Sequence, residues 1–214
     1  MIKKLCVLVA LFGLGAAGAF GDSLGVTLPA TYTNYGASSW DLGFEFQATQ
    51  NFSVDALGAF YDGSSTDNTY GAEQVGLWNS SGTLLASVYV SPTGTIVNSN
   101  WIFNAITPIQ LTAGNDYYVA AQGGWDYTGL VSGLTFNPDI SYVKDAFVST
   151  GSSNNPLLFP SSSDGDPSTQ GGWFGGNFEI GTGAAATPEP GTFLMLGSGL
   201  AGLAGMLRRR IARG

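Results

Sequence analysis

Apolar and polar residues alternate with a period of two, in short blocks closed off by turn residues. That pattern points to strands throughout. Within Leu42 to Thr49, Phe44 and Phe46 alternate with Glu45 and Gln47, which puts one face in a core and the other outside. Asn51 to Tyr61 repeats this with Phe52, Val54 and Ala56 on one face. Glu73 to Trp78 and Thr83 to Val90 flank Asn79-Ser80-Ser81-Gly82, a hairpin connection with glycine where a positive φ is needed. Asn100 to Thr107 and Asp116 to Gln122 form a second pair, joined through Pro108 and Thr112-Ala113-Gly114-Asn115. Leu130 to Phe136, Ile140 to Val148 and Trp173 to Ile180 are weaker strand candidates. Strands this short, with turns roughly every 8–12 residues and no helical period between them, predict an all-β, two-sheet antiparallel β-sandwich of jelly-roll-like type. Gly151 to Gly172 reads as a long polar surface loop.

Two terminal segments lie outside that pattern. Residues 1–19 read as a secretory signal peptide with a helical apolar stretch. Lys3 and Lys4 precede the apolar run Leu5 to Ala16, and Ala17 and Ala19 supply the small residues before cleavage. The lone cysteine, Cys6, lies inside this signal, so the mature chain has no thiol for a disulfide, nucleophile or thiolate site. At the other end stand Pro188-Glu189-Pro190, an uncharged run from Thr192 to Leu207, and a basic cluster at Arg208, Arg209 and Arg210 followed by Arg213. As a helix, 192–207 spans about 24 Å against a hydrocarbon core of roughly 30 Å; local thinning and snorkelling arginines make up the difference. The arginines place the C-terminus on the cytoplasmic side. Gly197, Ala201 and Gly205 fall at the four-residue spacing of close helix approach, a spacing that a Gly/Ala-rich helix also produces by chance.

The tail resembles the PEP-CTERM sorting signal of exported bacterial proteins, with all three parts in the right order. The resemblance implies recognition by a membrane-embedded exosortase, cleavage near Pro188-Glu189-Pro190, and a host that secretes exopolysaccharide. The expected domains are therefore a signal peptide at 1–19, a sandwich ectodomain at 20–180, a linker at 181–187, and the sorting tail at 188–214 with a transmembrane helix at 192–207. The chain's middle is also similar to a bacterial β-sandwich family of unknown function found in exported proteins. Leu77-Trp78, Gly82 and Leu85 match its hairpin, and Leu111, Ala113, Gly114 and Tyr117 match its strand entry. That likeness covers Leu42 to Gln122, extends to Ile180, and carries no catalytic residues.

Between Phe20 and Thr187 the chain has fourteen Asp or Glu against a single Lys, Lys144, for a net charge near −13. Such a surface excludes nucleic acid and anionic lipid as partners, because phosphate contacts need Lys and Arg. It is compatible with divalent cations and with neutral or cationic glycans. The absence of histidine removes Ser-His-Asp triads and most zinc sites. Carboxylate chemistry remains, with Glu45, Glu73 and Glu179 on expected strands, where a solvent-facing role is the simpler reading. Calcium could be held by oxygen-rich loops at Asp62 and Asp67 or at Asp164 and Asp166, neither of which has EF-hand spacing. Trp78 and Trp101 sit in apolar strands and read as core. Trp125 and Trp173 lie beside glycines and are the candidate glycan contacts, unless they too only pack.

The function expected from these features is a non-catalytic exported protein of the cell envelope or extracellular matrix, without a cofactor. The alternatives are a carbohydrate-binding module, calcium-dependent or not, acting on exopolysaccharide, and a carboxylate hydrolase. Mass spectrometry of the exported protein checks the processing: the chain is expected to begin after Ala19 and end near Pro188, without its arginines. An intact Gly214 in all exported material would leave only an anchor.

Overall fold

The computed structural model describes residues 23–36, 39–63, 71–98, 100–123, 127–129, 133–151, 156–164 and 172–181. The signal peptide with Ala17 and Ala19, and the tail with Pro188, Glu189, Pro190 and its arginines, lie outside the described residues. Within them the chain forms strands β1 (Ser23–Leu24), β2 (Val26–Thr27), β3 (Thr33–Tyr35), β4 (Trp40–Ala48), β5 (Phe52–Phe60), β6 (Glu73–Asn79), β7 (Leu84–Val90) and β8 (Ile96–Val97). They continue as β9 (Trp101–Leu111), β10 (Asp116–Ala121), β11 (Tyr127–Gly129), β12 (Thr135–Phe136), β13 (Ile140–Ser149), β14 (Trp173–Phe174) and β15 (Gly176–Gly181). All pairings are antiparallel.

One five-stranded sheet runs β1-β15-β5-β9-β8 and a second runs β13-β4-β10-β6-β7. The two enclose one sandwich-like core. From the second sheet come Phe44, Phe46, Leu77 and Val119, and from the first Leu57, Phe60, Trp101 and Phe178, all fully buried. Phe178 stacks on Phe46 with ring centroids 4.7 Å apart and also lies against Phe44 and Phe52. Behind it the buried Asn177 amide accepts from the Val26 N–H at 3.1 Å and donates to the Val26 carbonyl at 2.9 Å, tying the N-terminal strands to β15.

The turns have local causes. Asn79 Oδ1 accepts from the backbone N–H groups of Ser81 and Thr83 and from the Ser81 hydroxyl, which closes the β6–β7 hairpin. Gly82 at φ 78° and Gly114 at φ 81° occupy the left-handed region, as their turns require. Beyond the second turn Tyr117 packs inward on Phe46 while Tyr118 faces the other way.

Four expectations change. Pro108 does not end a strand: β9 continues to Leu111. Val54 pairs with Ile109 and Ala56 with Ala105, so the proline lies in a bulge, where its missing N–H breaks no ladder bond. Gly181 belongs to β15, paired with Ser53, rather than to a linker. Leu130 to Phe136 is not one strand, since Thr135–Phe136 alone pairs, with β2, and 130–132 lie outside the described residues. The expected polar loop covers apolar surface: in its described part, 156–164, Phe159 stacks edge-on against Trp78 and Tyr118, and Ser162 bridges to Phe147 at the free edge of β13. Trp78 is therefore buried outside the main core, whereas Trp101 is within it.

The same cover explains why β4 is buried at Asp41, Gly43 and Glu45 as well as on its core face. A Cβ on Gly43 would collide with the Val119 carbonyl oxygen and the Ala120 Cα of β10, backbone atoms with no side-chain freedom to yield. At Gly114 the surrounding space is open and the φ alone opposes substitution. Urea denaturation is expected to show Gly43→Ala destabilised by about 3 kcal/mol or more. Gly114→Ala is expected to lose only about 1–2 kcal/mol.

Candidate functional site

The small three-stranded sheet β14-β11-β3 caps one end of the sandwich. Its register sets Tyr127 opposite Tyr35 and Gly129 opposite Trp173. Gly129 has no side chain, and the Trp173 indole occupies the space that one would fill. Thr128, buried between them, donates its hydroxyl to the Thr33 carbonyl at 2.7 Å and holds the strands in line. Tyr35 and Tyr127 stack at 5.4 Å with planes 14° apart, and both meet Trp173 edge-on. Burial, with Tyr35 beside it, raises the Tyr127 phenol above its ordinary value.

Facing this wall is a second one from the main sheet. Trp40 sits opposite Ser149 and Leu42 opposite Phe147 across β4 and β13, and Trp40 meets Phe147 edge-on at 5.6 Å. Between the walls lies an open cavity of 270 Å³ lined by Trp40, Leu42, Tyr127, Phe147 and Trp173. Trp40 is 41% exposed, unusual for tryptophan beside a core. Pockets for drug-sized ligands run from about 300 Å³ upward, so this one suits a single ring. Its aromatic faces can stack on an apolar ring face, and none of its described lining residues is charged.

Trp173, singled out from the sequence, is therefore part of the site; Trp125 lies outside the described residues. Trp40, Tyr127 and Phe147 were not singled out. For Tyr127 the signal was its place in Gly123-Gly124-Trp125-Asp126-Tyr127, and for Trp40 its position at the mouth of a strand after Ser38-Ser39.

The acids are placed elsewhere. Glu45 and Glu73 are buried, so neither faces solvent as expected. Glu45 lies 3.2 Å from Lys144 and hydrogen-bonds the Tyr118 hydroxyl, which burial first, and then Glu45, pushes above the usual phenol range. Glu45 and Glu179 belong to different sheets, and Glu73 opens a third strand. Asp62 accepts from Asn34, and the Asp164 N–H donates to Asp145; Asp67 and Asp166 lie outside the described residues. Among the described residues no group of three His, Cys, Asp or Glu could hold a metal ion. Among them, too, no helix is long and apolar enough to cross a membrane, and 192–207 is not one of the described segments.

A family model described as a domain of unknown function, DUF4082, matches residues 26–188. The chain belongs to the DUF4082 family. The PEP-CTERM protein-sorting motif matches residues 186–210, which marks this DUF4082 protein as an exported exosortase substrate sorted to the cell envelope. No curated protein matches the chain. The DUF4082 match begins at Val26, well before Leu42, in keeping with the Asn177–Val26 bonds that make the N-terminal strands part of the domain.

Asp41, next to Trp40 in the chain, is turned to the covered side, where its Oδ2 accepts from the Leu158 N–H at 2.6 Å. Burial pushes its carboxyl from the ordinary 3.8 to about 7, and the Leu158 bond only partly offsets this. The folded state then holds this proton at pH values where the unfolded chain has lost it. Stability is expected to be highest near pH 4 and to fall by up to about 4 kcal/mol as pH rises through 7. Asp41→Asn should flatten most of that slope in urea titrations from pH 4 to 8. Asp145, raised by burial in the same direction, accounts for the remainder.

Proposed function

We propose that this DUF4082 domain is a non-catalytic carbohydrate-binding module, a jelly-roll-like sandwich that the PEP-CTERM tail delivers to the cell envelope. The helix at 192–207 holds it in the membrane with Arg208, Arg209 and Arg210 on the cytoplasmic side until exosortase releases it. The ligand is neutral exopolysaccharide or a similar neutral glycan. The observation that carries this reading is the cavity in which exposed Trp40 and half-buried Trp173 stand on facing walls. Sugar rings have one apolar C–H face, and aromatic side chains with room between them provide the surface that it stacks on. The ectodomain's charge supports a neutral partner, since fourteen acids and one lysine repel uronate or sulfate chains. Hydrolysis would need two convergent carboxylates, and the described cavity lining contributes none. Binding by stacking needs no cofactor, so calcium has no part in it.

Calorimetry of purified 20–187 against neutral polysaccharides tests the reading. Saturable binding is expected, weakened roughly tenfold by Trp40→Ala or by Trp173→Ala, a change of about 1.4 kcal/mol each. The affinity should be the same with calcium and with a chelator. If no neutral glycan binds, or if both variants bind as the wild type does, the cavity is not a sugar site.

A further inference from the structure

At the opposite end of the sandwich a polar cleft of 340 Å³ opens between the β6–β7 hairpin and the β9–β10 turn. We propose that it is a second carbohydrate site, one that grips sugar hydroxyls by hydrogen bonds instead of stacking on a ring. Leu85 and Ile109 contribute apolar surface, and Asn79, Gln110, Asn115 and Asp116 contribute planar polar groups. The hydrogen-bonding state of these groups favours a polyol. Asn79 Oδ1 is occupied by three donors of its own hairpin, which leaves its amide nitrogen to donate. Asp116 accepts from Gln47 Nε2 at 3.1 Å through one oxygen, and a carboxylate has acceptor positions to spare. Gln110 and Asn115, both exposed, each carry a donor and an acceptor side by side.

A vicinal diol presents the same alternation of donor and acceptor. An anion would meet Asp116 with no Lys or Arg among the described lining residues, and an apolar ligand would leave the amides unpaired at a cost. Leu42 of the aromatic cavity pairs with Ala121, whereas Gln47 pairs with Asp116 of the cleft. The two sites are thus about 17 Å apart along β4, at roughly 3.4 Å per residue. On the reading of the aromatic cavity given above, one domain then holds two sugar chains at once and bridges them.

The test uses the full chain in a zwitterionic detergent without a sugar headgroup, with methyl α-glucopyranoside observed by saturation-transfer NMR and branched dextran by turbidity. Gln110→Ala with Asn115→Ala should reduce the glucoside signal without abolishing it, and should remove dextran turbidity. Gln110→Glu, which keeps the side-chain bulk and adds a charge, should do the same. Trp40→Ala with Trp173→Ala should leave the cleft's share of the signal. If the cleft variants match wild type and the tryptophan variants abolish all signal, the second site is overturned while the aromatic site stands. If the cleft variants abolish the signal and the tryptophan variants do not alter it, the cleft stands alone and the aromatic reading falls. Absence of signal in the wild-type chain overturns both.

Discussion

The contact on which the sandwich depends is the stack of Phe178 from β15 on Phe46 from β4. Cys6 is the one cysteine of the sequence, so no disulfide joins the two large sheets, and the aromatic packing between them has to hold them together. Phe178 lies at the centre of that packing, touching Phe44 and Phe46 on one sheet and Phe52 on its own. It also fixes the turn between β1 and β2, because a side chain on Gly25 would strike its ring. The neighbouring Asn177 adds direction. A buried amide with both ends bonded to Val26 is satisfied only when the N-terminal segment lies in one register.

A second layer of packing follows on the outside. The sheet that carries β4 would ordinarily present its far face to water, yet the segment through Leu157, Leu158 and Phe159 lies over part of it. This buries Trp78 at the cost of also burying polar groups such as Asp41. The protein meets that cost with a backbone N–H from Leu158 and a raised carboxyl pKa. Covering this face also braces β4 from behind, where Trp40 and Leu42 form one wall of the aromatic cavity.

Much of this was legible in the residues. Alternation placed the long strands to within a residue or two, because Phe44, Phe46, Val75, Leu77 and Val119 can only reach a core from one face of a pleated strand. β9 alone among them runs well past its expected end at Thr107, to Leu111, because Pro108 is absorbed in a bulge. The hairpin at Asn79 to Gly82 was equally plain, since its side-chain and φ requirements are local. Less legible was anything that depended on distant segments meeting. Glu45 has the pattern of an exposed strand residue, and only the pairing with Lys144 on β13 and Tyr118 on β10 shows that it is buried. Leu157-Leu158-Phe159 was a visible apolar triplet within a polar stretch, but nothing local says which face it covers. Of the aromatic site, Trp173 was recognisable from its glycine neighbours. Trp40 was not, because its wall is completed by Phe147, more than a hundred residues away.

The first and last strands of the described domain lie side by side. Ser23 pairs with Ile180, and Gly181 is the last residue of β15, alongside Ser53. Trp173 lies just before the other end of that same strand, so β15 runs as a single rod from the aromatic cavity to the point of attachment. If a ligand is held in the cavity and the chain is tethered after Gly181, as proposed, the tension between them runs lengthwise along that rod. Whatever share of that load passes from β15 into β5 strains their hydrogen bonds side by side in shear, all at once, where a pull across the strands would open them one after another. On the proposed reading, the antiparallel pairing of β15 with β5 resists a pull from end to end.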